Sequence, residues 1–70
     1  MIGVEYIIPN SLGDLVGVHF QIYNPHHRRK SDWHYEYDGL AEAIDDGFSE
    51  VELINAIHNG WVRIINEVEE

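Results

Sequence analysis

A small α+β domain, with an antiparallel sheet and two short helices packed on one of its faces, is the fold this sequence predicts. Three observations carry that expectation. The first half alternates apolar and polar residues with the period of a half-buried strand. After Asp38 the apolar spacing changes to that of a helix. Twice thereafter a helical stretch ends at a glycine followed by a large aromatic residue, which is helix-stop chemistry. The predicted order along the chain is β-β-β-α-α-β, in one domain over residues 1–70.

Ile2 to Ile8 reads as the first strand, rich in β-branched residues, with Val4, Tyr6 and Ile8 on one face. Pro9-Asn10-Ser11-Leu12-Gly13-Asp14 gathers turn formers. Leu15 to Tyr23 is the cleanest alternation: Val16, Val18, Phe20 and Ile22 against Gly17, His19, Gln21 and Tyr23. Asn24-Pro25 ends it, and His26 to Ser31 forms a polar, basic hairpin tip. Asp32 to Tyr37 resumes alternation, with Trp33, Tyr35 and Tyr37 on one side; three aromatics there should cover a helix or line a contact surface. Three consecutive strands favour an antiparallel meander. The face turned away from the helices should then carry Glu5, His19, Gln21, His34 and Glu36.

Leu40, Ala43 and Ile44 space a first helix that Gly47 stops. Ser49 followed by Glu52 is a capping-box pattern opening a second. Along it Val51, Ile54 and Ile57 recur three apart on one side, with Leu53 beside them. Asn59-Gly60 ends it, and Trp61 to Val68 reads as the last strand, with Val62 and Ile64 facing in and Arg63 out. Ala43-Ile44-Asp45-Asp46-Gly47-Phe48 echoes Ala56-Ile57-His58-Asn59-Gly60-Trp61, which reads as one stop device used twice.

Charge is the strongest functional signal. Thirteen acidic residues face four basic ones, a formal net charge of -9. Nucleic acid and anionic membrane repel such a surface, and a basic protein attracts it. Hydrophobic residues make up 44% of the chain, so this is a folding sequence and not a disordered acidic tail. The charges are segregated. Arg28, Arg29 and Lys30 are consecutive, Arg63 is the remaining base, and no Lys or Arg lies between Ser31 and Val62. That stretch carries Asp32, Glu36, Asp38, Glu42, Asp45, Asp46, Glu50 and Glu52. A surface built for solubility mixes signs. These eight carboxylates are therefore the candidate partner-binding residues, and Arg28, Arg29, Lys30, Trp33 and Tyr35 form a candidate secondary contact.

Catalytic and metal-binding chemistry is not expected. There is no Cys and no Thr, and Ser49 is accounted for as a helix cap, so no activated nucleophile stands out. The histidines lack the spacing of a helical metal pair, and Asp45-Asp46-Gly47-Phe48-Ser49-Glu50 has neither the length nor the alternation of a calcium loop. No cofactor is expected. No apolar run approaches the roughly 18 residues of a membrane span. Met1-Ile2-Gly3-Val4-Glu5 lacks the basic start of a secretory signal, which sets the expectation of a cytoplasmic protein.

Leu53-Ile54-Asn55-Ala56-Ile57-His58-Asn59-Gly60-Trp61, followed by Glu67, Glu69 and Glu70, resembles part of a small acidic phage anti-CRISPR protein. The shared residues are Ile54, Ala56, Asn59, Gly60 and Trp61, then the glutamate-rich end. Proteins of that family block the target-recognition groove of a single-effector CRISPR nuclease. They begin with a helix and this chain with strands, so the resemblance transfers no site residue. It implies a class: a compact acidic inhibitor of a nucleic-acid-handling protein, acting in the host cytoplasm. The function expected is thus binding to a basic, nucleic-acid-binding or defence protein, with occupation of its substrate site by nucleic-acid mimicry. The alternative is an assembly module, such as a homodimer, regulatory subunit or immunity protein, using the aromatic strand or an open sheet edge.

Overall fold

The computed structural model describes residues 2–23 and 35–69. In chain order these form β1 (Ile2–Ile7), a 3-10 turn (Leu12–Leu15), β2 (Phe20–Ile22), β3 (Tyr35–Tyr37), α1 (Leu40–Asp45), α2 (Glu50–His58) and β4 (Val62–Glu69). The α+β class and the order of elements are as the sequence predicts. No helix among the described residues is long and apolar enough to cross a membrane.

The sheet is four-stranded in the order β1-β4-β2-β3, with every neighbouring pair antiparallel. The expected meander is therefore corrected. β1 does not pair with β2, because β4 returns between them. Ile64 shows the arrangement, with Ile7 opposite it on one side and Phe20 on the other. β4 pairs with β2 through Val62, Arg63 and Ile64 and with β1 from Ile64 onward.

The helices cover one face of this sheet. Phe20 and Ile22 of β2, Tyr37 of β3, Val62 and Ile64 of β4 meet Ala43 of α1 and Leu53, Ala56 and Ile57 of α2 in one core, closed by Leu15 from the 3-10 turn. Phe20, Leu15, Leu53 and Val62 are fully buried. Each such side chain contributes roughly 1.5–3 kcal/mol relative to exposure. No β1 residue belongs to this core.

Several expected details differ. The strand expected over Leu15 to Tyr23 is confined to Phe20–Ile22; Leu15 ends the 3-10 turn and Val16 is 64% exposed. The turn formers build that 3-10 segment, with the Asn10 N–H donating to the Asp14 carboxylate at 2.9 Å. On β1, Val4 and Tyr6 share the face of Ile65 and Arg63, away from the helices, and Glu5 takes the helix side opposite Asn66. This inverts the expected facing, because the register sets Tyr6 beside Ile65 and Glu5 on the side of Ile64. On α2 the buried stripe is Leu53, Ala56 and Ile57, while Val51 and Ile54 are exposed. Of the expected third strand, Asp32, Trp33 and His34 lie outside the described residues, as does the basic tip with His26, His27, Arg28, Arg29 and Lys30.

Both helix stops form as read. After α1 the Phe48 N–H donates to the Ala43 carbonyl and the Gly47 N–H to that of Ile44, each at 3.1 Å. After α2 the Trp61 N–H donates to Ala56 at 2.8 Å and the Gly60 N–H to Ile57 at 3.1 Å. These are the paired bonds of a Schellman motif. They need a left-handed residue, and Gly47 and Gly60 supply φ of 113° and 76°. The capping box forms too, with the Glu52 N–H donating to Ser49 Oγ at 3.1 Å and the Ser49 N–H to Glu52 Oε1 at 3.2 Å.

Candidate functional site

Carboxylates in the second half fall into two settings. The first is the open face of the sheet. Cross-strand register sets Arg63, Gln21 and Glu36 in one row over β4, β2 and β3. Their side chains bond in sequence: Arg63 Nε donates to Gln21 Oε1 at 2.8 Å, and Gln21 Nε2 to Glu36 Oε1 at 2.7 Å. Glu36 Oε2 lies 3.2 Å from His19 Nε2, and the other ring nitrogen of His19 bonds Asp38. The guanidinium of Arg63 stands over the Tyr6 ring at 4.1 Å, so the row reaches β1.

His19 is the titrating member of this network. Its Asp38 hydrogen bond, aided by Glu36 and opposed by partial burial, raises its pKa above the ordinary 6.5. A neutral imidazole has one N–H, and only the protonated ring can donate to both carboxylates. The two acids approach opposite ring nitrogens, so they do not converge on a point that a metal could occupy. No group of three or more metal-ligating side chains is assembled among the described residues.

The second setting is the junction of the helices. Glu42 and Asp45 lie on α1, Asp46 is its C-cap, and Glu50 and Glu52 lie in the first turn of α2. Only Gly47, Phe48 and Ser49 separate Asp46 from α2, so the chain folds these acids together. All five are exposed. Asp46 and Glu52 line a shared hollow with Tyr35, Gly47 and Phe48. Glu42 and Asp38 line another with Val16, Gly17, Leu40 and Ile44.

Some of these acids also serve the fold. The Tyr37 hydroxyl donates to Asp46 Oδ2 at 2.5 Å. Burial, then that bond to a carboxylate, raises the pKa of Tyr37 and keeps it a proton donor. Phe48 seals the same spot. Its ring meets Tyr35 at 5.6 Å and Tyr37 at 5.8 Å, both edge-on, and Tyr37 in turn meets Phe20 at 6.0 Å. Tyr35 and Tyr37 thus cover a helix end, one of the two roles expected of the aromatic strand, whose Trp33 lies outside the described residues.

The eight expected partner-binding residues therefore separate. Glu36 and Asp38 are engaged with His19, Asp46 with Tyr37, and Glu52 with the Ser49 cap. Glu42, Asp45 and Glu50 are exposed with no such structural duty, and Asp32 lies outside the described residues. Of the expected secondary contact, Tyr35 is half-buried against Phe48. The bonding of His19 to Glu36 of β3 and to Asp38 just after it is not among the sequence-based expectations. The signal was alternation itself, which put His19, Gln21 and Glu36 on one face, but the long hairpin tip left their register open.

A scan against protein-family models finds no match, and neither a search of curated proteins nor a search of solved structures finds one. What fold and site define together is a small four-stranded α+β domain with an acidic helical junction.

Proposed function

We propose that this protein is an acidic inhibitor that binds a basic, nucleic-acid-handling protein, for example a CRISPR nuclease, and occupies its substrate site. The observation that carries the reading is the gathering of exposed Glu42, Asp45, Asp46, Glu50 and Glu52 at one helical junction, in a stretch with no Lys or Arg. A groove built for phosphates presents fixed Lys and Arg groups, and an array of carboxylates on a rigid support meets the same charges. Rigidity matters, because a preorganised array loses less entropy on binding. Here the array stands on two capped helices packed on a sheet.

Glu42, Asp45 and Glu50 carry most of the contact in this reading. The test is their joint reversal to lysine, sparing Asp46 and Glu52, which hold the fold. Inhibition of DNA binding and cleavage is measured against a panel of basic nucleases at about 50 and about 300 mM salt. The expected result is association that weakens steeply with salt, as screening of exposed charges requires, and is lost in the triple variant. Inhibition that survives the reversal would sink the reading.

A further inference from the structure

Among the described residues β1 is an edge strand, and its outer side lacks the features that normally protect an edge. It is six residues long, holds no Pro or Lys, and carries one charge, Glu5. Natural edges are usually kept from pairing by lysines, prolines or bulges.

The direction of its backbone groups follows from β4. The Ile65 N–H donates to the carbonyl of His19, just before β2, so alternate β4 residues turn their backbone to β2 and the intervening Ile64, Asn66 and Val68 turn theirs to β1. Their partners Ile7, Glu5 and Gly3 consequently face β4. The N–H and C=O of Ile2, Val4 and Tyr6 point outward. The side chains of these residues lie on the open face and are 69%, 56% and 53% exposed.

We infer that β1 pairs antiparallel with β1 of a second copy, across a twofold axis at Val4, to make one continuous sheet. Three features select this occupant and register. Centring on Val4 places Ile2 opposite Tyr6′ and joins all three outward residues in hydrogen-bonding phase. It also places Glu5 opposite Gly3′. Centring one step further along, with Val4 opposite Tyr6′, would set Glu5 against Glu5′, and like charges directly opposed oppose pairing.

Gly3 has no internal reason to be glycine. Its backbone is not left-handed, and a Cβ there would meet only the Val68 carbonyl at 3.8 Å, an ordinary contact. A glycine inside a strand weakens it, and such residues mark sites where another chain approaches closely. The third feature is charge. Glu69 of β4 pairs with Ile2, and Arg63 lies over Tyr6. Setting Ile2 opposite Tyr6′ therefore aligns Glu69, Ile2 and Tyr6′ in one row, with the cation of Arg63′ at its far end. The twofold repeats the row with signs reversed, so opposite charges flank an apolar centre.

This interface is independent of the acidic junction, and failure of either leaves the other standing. The test is sedimentation of the full chain over a concentration series, at about 50 and about 500 mM salt, with amide exchange of Ile2, Val4 and Tyr6 followed in parallel. A dimer is expected that tightens with salt, because screening relieves repulsion between two chains of charge -9. The three amides should become protected as concentration rises. Two variants at one position fix the register: Gly3→Asp, which faces Glu5′ with a like charge, should weaken the dimer about tenfold or more, and Gly3→Lys should hold or tighten it. A chain that stays monomeric to about 1 mM, a scale chosen against ordinary affinities, overturns the inference. So does equal behaviour of the two variants, or a dimer in which the three amides stay unprotected.

Discussion

β1 and the residue after it leave Ile2, Val4, Tyr6 and Ile8 more than half exposed beside one carboxylate, Glu5. The α1–α2 pair exposes Glu42, Asp45, Asp46, Glu50 and Glu52 and contains no Lys or Arg. Both regions rest on the same sheet, and they offer association by different forces. Apolar contact gains from added salt, whereas attraction between exposed charges is screened by it. A salt titration of any complex this protein forms therefore reports which region made it. The difference has a structural origin. The helices bury one face of β2, β3 and β4 and carry the acids, while Ile2, Val4 and Tyr6 lie on the opposite face of the sheet, so charge gathers on the covering layer and apolar surface on the open face of β1.

The sharpest way to break the comparison is to remove the support of one region alone. Leu53→Ala empties a fully buried site under α2 and should cost about 2–5 kcal/mol in urea denaturation. Val4→Thr, at a position 56% exposed on β1, should stay within about 0.5 kcal/mol for the monomer. Equal losses would mean that β1 is part of the folded core after all.

Next in size is Gly60→Ala. Nothing lies within 4 Å of the added Cβ, so the cost is that of the left-handed backbone alone, about 1–2 kcal/mol. Gly60→Asn should lose less, because asparagine tolerates that conformation better. A midpoint unchanged by Gly60→Ala would contradict the stop geometry after α2.

Ser49→Ala removes one half of the capping box and should cost about 1 kcal/mol. It also frees the Glu52 side chain from the start of α2, so affinity for a basic partner should change while any pairing through β1 does not. That selectivity, read by calorimetry and sedimentation on one variant, sharpens the separation of the two regions.

The smallest effect is the pH dependence of His19. Its folded pKa is raised above the unfolded value near 6.5. The stability it contributes is therefore fully present below about 6.5 and is lost as pH rises through the higher folded value. With its side chain 38% exposed the effect is modest. The difference between wild type and His19→Gln should shrink as the pH is raised from about 6.5 through the alkaline side of ordinary histidine titration. A difference constant over that range would show that Asp38 and Glu36 do not hold the imidazolium.

Local chemistry was the legible part of this chain. Ser49 and Glu52, Gly47 with Phe48, and Gly60 with Trp61 each act within a few residues, so sequence alone determined the cap, both helix stops and hence the order of elements. The charge segregation was equally plain, because it needs only a count along the chain. The side of α2 that would be buried was not. Val51, Ile54 and Ile57 recur as regularly as Leu53, Ala56 and Ile57, and the sheet chose the second set by where it lies.

Tertiary structure likewise decided the place of β4 and the facing of β1. Both depend on pairing between residues as distant in sequence as Ile7 and Ile64, and no local rule orders strands joined through two helices. Alternation placed Val4 and Tyr6 on one face, as found, yet could not say whether anything would cover it. Both helices pack on the opposite face, where Ile64 lies, so the face of Val4 and Tyr6 stays open. The same long-range register tied part of the acidic run to the open face of the sheet, giving Glu36 and Asp38 to His19, while Glu42, Asp45 and Glu50 stand exposed on the helices.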